Sequence, residues 1–163
     1  MSEFEDFASE HSQRVENAKR LDSDTKPEWE ILKQEAARFA AEGKEFDGEK
    51  FEWAPYAAYY PDFLKLGNVA ATFLSRGTNG PRDFRIRLTR RPEAPGTMWV
   101  DEKSPLNTIE WSLKTSIQSD GIVWSVAEMN EAFSTAALAE KVAVELSKYH
   151  LAYKKYYENW SAA

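Results

Sequence analysis

No cysteine occurs among the 163 residues. That removes disulfides, thiolate nucleophiles, zinc–thiolate sites and iron–sulfur clusters from consideration together. Histidine is nearly as scarce, with only His11 and His150. No stretch reaches the ~18 consecutive apolar residues that span a bilayer. The start, MSEFEDFASE, is acidic where a secretory signal needs basic residues followed by an apolar run. Positive charge is also in deficit: 21 Lys and Arg face 27 Asp and Glu, giving a net charge of -6 and a pI of about 5.1. No overall field draws such a chain to nucleic acid or an anionic membrane surface. These absences lead us to expect a cytoplasmic protein that binds neither nucleic acid nor membrane and needs no cofactor.

What is present suffices for a packed core. Hydrophobic residues make up 42% and charged residues 29%, which excludes global disorder. The length suits one domain, and no repeat or Gly/Ser linker divides it, so residues 1–163 read as a single α+β domain. The pattern changes once, near residue 46, from charged and helix-like to aromatic and strand-like.

Residues 1–45 read as a helical hairpin. Phe4, Phe7, Ala8, His11, Val15 and Ala18 recur at helical spacing. A break is expected at Leu21-Asp22-Ser23-Asp24. Thr25 then suits an N-cap, with Glu28 as its capping-box partner and Pro27 tolerated in the first turn. Trp29, Leu32, Ala36, Phe39 and Ala40 form a second stripe, and Gly43 suits a helix stop. Residues 46–67 read as a connector rich in aromatics and interrupted by Pro55 and Pro61.

Residues 68–127 read as a five-stranded antiparallel meander: Val69–Arg76, Asp83–Arg90, Thr97–Lys103, Thr108–Gln118 and Ile122–Ala127, each bounded by Gly, Pro, Asn or Asp. In the fourth, Ile109, Trp111, Leu113, Thr115 and Ile117 alternate with Glu110, Ser112, Lys114 and Ser116, the mark of a sheet with one wet face. Asp120-Gly121 suits a type I′ turn, which sets Ile117 opposite Trp124 and Thr115 opposite Val126. Residues 134–160 read as a long C-terminal helix capped by Ser134 and packed on one sheet face. Its stripe is Leu138, Val142, Leu146, Tyr149, Tyr153, Tyr156 and Trp160.

Catalytic signatures are missing. There is no G-x-S-x-G elbow, no Walker loop and no metal-ligand spacing, and each histidine reads as a satisfied, half-buried side chain in or beside an apolar stripe. No catalytic residue and no metal ligand is therefore assigned. Two local features stand out. Six of the nine arginines fall between positions 76 and 91: Arg76, Arg82, Arg85, Arg87, Arg90 and Arg91. Guanidinium forks suit carboxylates and phosphates, so the first five could hold an anionic ligand; alternatively Asp83, Asp101, Glu102 and Glu110 neutralise them across the strands. The second feature is aromatic surplus: Trp53, Tyr56, Tyr59 and Tyr60 in the connector, and Tyr153, Tyr156 and Trp160 at the chain's end. These either line a pocket, meet a partner, or seal one layer onto another. The sequence thus points to a non-enzymatic intracellular module that binds another protein or a second copy of itself. A small-ligand domain with an arginine-lined anion site is the alternative.

Overall fold

The computed structural model describes residues 2–54, 62–76, 83–90, 108–118 and 121–161, with the backbone alone for 15, 17–24, 76 and 157–161. The chain is α+β, as its patterning predicts, with one helix at each end of an antiparallel sheet.

The N-terminal hairpin is corrected. Glu3–Ala41 is one continuous 39-residue helix, α1, with Pro27 inside it and no break at 21–24. Ser2 caps it by accepting from the Glu5 N–H at 3.3 Å, and Glu3, Glu5 and Asp6 in the first turn suit the positive end of the helix dipole. The other end stops where Gly43 directs. Its φ of +68° is open to glycine at little cost; its N–H bonds Ala40 O, and the Lys44 N–H reaches back to Phe39 O, both at 3.0 Å. This pair of bonds is a Schellman motif.

The expected capping box is put to a different use. Thr25 lies inside α1 and shares a 3.1 Å hydrogen bond with Thr115 of the sheet, while Glu28 Oε1 accepts from the Thr135 hydroxyl at 2.6 Å. Both polar side chains thus bond across the core, and α1 has no need to restart at Thr25.

Among the described residues the sheet has eight strands, not five: β1 (Glu45–Phe46), β2 (Glu49–Ala54), β3 (Phe63–Leu66), β4 (Val69–Arg76), β5 (Asp83–Arg90), β6 (Ile109–Gln118), β7 (Gly121–Val126) and β8 (Glu131–Ser134). Their spatial order is their sequence order, each antiparallel to the next. The connector assigned to 46–67 therefore contributes β1 to β3, and two tight turns explain how. Asp47-Gly48 carries positive φ at both positions (53° and 78°), the type I′ requirement; Gly67-Asn68 links Leu66 to its partner Val69, with Gly67 at +59°. The expected strand 97–103 lies outside the described residues, and β5 pairs directly with β6 (Ile86 opposite Trp111), so nothing intervenes between them.

The β6–β7 register is offset from the expected one by two residues: Ile117 faces Ile122 and Thr115 faces Trp124. Two residues are one full side-chain period, so the apolar face is preserved. Ser134 bonds the Ala137 N–H and opens the last helix, α2, at Thr135–Ser161.

Both helices cover the same sheet face. Trp29, Leu32 and Ala36 of α1 and Leu138, Val142 and Leu146 of α2 share one core with Leu64, Phe73, Ile86, Trp111 and Trp124 of the sheet. Trp29 is the hub of its ring cluster, 4.8 Å from Phe84, 5.8 Å from Phe73 and 5.9 Å from Trp124. The indole N–H of Trp124 donates to Thr135 Oγ1 at 2.9 Å, so the buried ring keeps its polar atom satisfied. Ile109 and Ile117, at the two ends of β6, stay exposed. The opposite sheet face is not uniformly wet, because Phe63, Ala70 and Leu74 are buried there.

Candidate functional site

The arginine strand folds as its alternation predicts. Ile86 and Leu88 turn into the core, while Arg85 and Arg87 stand on the opposite face of β5. There they meet Glu110, which the register places directly across from Arg87. Glu110 Oε1 accepts from Arg87 Nε (3.1 Å) and Nη2 (2.8 Å), and Oε2 accepts from Arg85 Nη1 at 3.1 Å. Arg85 Nε donates to Asp83 at 2.9 Å. One carboxylate thus bridges two guanidinium groups. Its bonds to Arg87 first, and then to Arg85, hold the Glu110 carboxyl below its ordinary range against a smaller opposing effect of burial. Asp83 and Glu110 together push Arg85 up.

A small cavity of about 150 Å³ opens here, lined by Leu74, Asp83, Arg85, Arg87 and Glu110. Two guanidinium groups and two carboxylates, Glu110 from the neighbouring strand and Asp83 from the arginines' own, leave its lining with no formal net charge. Arg90 is half-buried at the end of β5. Arg76 ends β4 opposite Asp83, without a described side chain, and Arg82 lies outside the described residues.

The aromatic residues divide. Trp53 is half-buried and packs its ring 5.7 Å from Phe73, so it seals the core edge. Tyr153 packs against the core beside buried Tyr149, and Tyr156 is half-buried. Tyr56, Tyr59 and Tyr60 lie outside the described residues, and Trp160 has a described backbone only.

Neither histidine is half-buried. His11 is exposed on α1. His150 is 5% exposed, with Nε2 3.2 Å from Asp47 Oδ2, which also accepts from Lys154 at 2.9 Å. The Lys154 bond, followed by that of His150, lowers the Asp47 carboxyl. The other ring nitrogen, Nδ1, is buried without a partner, and a Cβ at Gly67 would lie 2.9 Å from the ring. A general base must reach a substrate proton. With one nitrogen on Asp47 and the other sealed, this imidazole joins α2 to the β1–β2 turn and offers no edge for catalysis. Asp47-Gly48, a two-residue turn between strand-like residues, was the sequence signal for that turn.

The feature that sequence periodicity marks but does not place is the first half of α1. Thr25 is the first buried residue of the helix among those with described side chains, and residues 2–14 are exposed apart from half-buried Ala8. Phe4 is 77% exposed and Phe7 67%, well above the 46% of Leu151, the next large hydrophobic residue. Residues 3–14 therefore form an exposed helical stretch about 18 Å long, at 1.5 Å per residue. Its described part is acidic at the tip and bears two aromatic rings in water. Comparison with protein families, with curated proteins and with solved structures finds no match to this chain.

Proposed function

We propose that this chain is a non-enzymatic intracellular interaction module that docks through the exposed start of α1, residues 3–14. The exposure of Phe4 and Phe7 on one turn of an amphipathic helix carries the reading. Large aromatics are the side chains that anchor interfaces, and spacings of three and four present them to a groove as a helix-in-groove ligand does. The rest of the molecule supplies a rigid base: α1 is fixed from Thr25 onward by the ring cluster of Trp29 and the Glu28–Thr135 bond.

The test is a photoreactive residue placed at exposed Ser12, which flanks the stripe at 100° per residue, in the full chain expressed in its native cells, with exposed Ser75 as the control position. Adducts of defined mass from Ser12, absent from Ser75 and lost in Phe4→Ser/Phe7→Ser, are expected. Equal, indiscriminate labelling from both positions would overturn the reading.

The second reading, an anion site, draws on the 150 Å³ cavity beside Arg85 and Arg87. It requires a saturable thermal shift with one class of anionic metabolite, by mass action, that disappears in Arg85→Ala/Arg87→Ala.

A further inference from the structure

The exposed start of α1 sets four carboxylates around two rings. At about 100° per residue, Phe4, Phe7, Ala8 and His11 share one face of the helix. Glu3 and Glu10 flank that face on one side and Glu5 on the other, with Asp6 behind. All four acids are exposed, and among the described residues none of them takes part in an ion pair. The positive end of the helix dipole accounts for Glu3, Glu5 and Asp6, but it fades within the first turn and does not reach Glu10. Arg14 is the one Lys or Arg of residues 3–14, so their net side-chain charge is -3. Counted on to Asp24 the sum is -4, because Glu16, Asp22 and Asp24 outnumber Lys19 and Arg20.

From this pattern we infer that the occupant of residues 3–14 is a groove on a different protein, apolar at its floor and carrying Lys or Arg along both rims. The inference rests on the reading of α1 as a docking surface and names the partner's chemistry. Phe4 and Phe7 fill the floor, where large rings anchor an interface. Glu3 and Glu10 meet one rim and Glu5 the other, as acidic motifs meet arginine clusters. A second copy does not provide such rims. Two of these stretches, run in either direction, bring four carboxylates and one arginine each. Elsewhere among the described residues, neighbouring cations are held by their own acids: Arg85 and Arg87 by Glu110, Lys141 and Lys148 by Glu145, and Lys154 by Asp47. An anionic lipid surface or a nucleic acid carries the wrong sign.

The test reads adduct yield from the photoreactive residue at Ser12, in the full chain and its native cells. Glu5→Lys/Glu10→Lys reverses one acid on each flank and leaves Glu3 and Asp6 to serve the helix dipole. It should lower the yield about tenfold or more, since like charges across an interface are strongly disfavoured. Glu5→Asp/Glu10→Asp, which keeps the charge, should retain the adducts. The same reversal at exposed acids elsewhere, Glu45→Lys/Glu131→Lys, should leave the yield unaltered. Peptide mapping of the adduct should find Lys or Arg beside the attached segment of the partner. Changing those partner residues to Glu should restore the adducts of Glu5→Lys/Glu10→Lys.

Phe-dependent adducts whose yield ignores the Glu5/Glu10 reversal would overturn the inference, and the docking reading would stand with an uncharged groove as partner. An adduct of twice the chain's mass, or of lipid mass, would overturn it as well. If no adduct depended on Phe4 and Phe7, both would fall.

Discussion

Glu28 of α1 accepts the hydroxyl proton of Thr135, the first residue of α2, at 2.6 Å across 107 positions of sequence. Thr135 Oγ1 accepts from Trp124 at the same time, so one buried hydroxyl joins both helices and the sheet. Trp124 Nε1, Thr135 Oγ1 and Glu28 Oε1 are thereby each partnered, as burial requires.

Thr135→Val keeps the shape and removes the hydroxyl. It strands the Trp124 N–H and leaves Glu28 short of a donor. The expected cost is about 1–3 kcal/mol, the penalty of unsatisfied buried polar groups, read from urea unfolding. Thr135→Ser, which keeps the hydroxyl, should lose distinctly less. Equal losses from both would show that the methyl group, and not the bond, matters.

Acid should act through Glu110. Its folded-state pKa is depressed below the ordinary 4.5 by Arg87 and Arg85. The stability it contributes is therefore present above that ordinary value and lost as pH falls through the folded value. Glu110→Gln should cost at most about 1 kcal/mol at pH 7, since the pair is partly solvated. That difference should shrink below pH 4.5 and vanish in stronger acid. Urea midpoints of both proteins across that range decide the matter.

Gly67 fits a left-handed turn under the His150 ring. Gly67→Ala meets a backbone cost of about 1–2 kcal/mol for a Cβ at positive φ, plus a 2.9 Å contact with the imidazole. In a His150→Ala background the contact is gone and only the backbone cost should remain. A double-mutant cycle separates the two; strict additivity would mean that the ring yields freely.

Pro27 discriminates between one helix and two. Inside a continuous α1 it removes an N–H from the ladder, so Pro27→Ala should stabilise by up to about 3 kcal/mol and raise helical ellipticity. At the first turn of a separate helix the same change would gain almost nothing.

The legible parts of the fold were those set by local pattern. Ile86 and Leu88 alternating with Arg85 and Arg87 fixed both faces of β5, and Ser134 and Gly43 marked helix ends that the structure keeps. The misread parts were local signals that long-range bonds overrule. Thr25 and Glu28 match a capping box by spacing, yet Thr115 and Thr135 claim their side chains. The short strands β1 to β3 carry too few residues to show a period, and only their turns betray them. At the candidate site, the face of Arg85 and Arg87 was readable from alternation. The partners that occupy them follow from strand pairing, which places Glu110 across from Arg87. The exposure of Phe4 and Phe7 could not be read from their spacing, because a stripe reports which residues share a face and not whether anything lies against it.

The strictly sequential order of the eight strands has a consequence for how the molecule is made. Every strand pairs with its predecessor through neighbouring sequence, so the sheet can zip up hairpin by hairpin at low loop-closure cost. Its cover cannot. The core needs α1 and α2 on the same face, and α2 follows the last strand. During synthesis at about 5–20 residues per second, the apolar face bearing Phe73, Ile86 and Trp111 is complete before Leu138, Val142 and Leu146 exist to close it. For those seconds α1 alone of the two core helices can cover it, and the newborn chain is at its most adhesive just before α2 emerges.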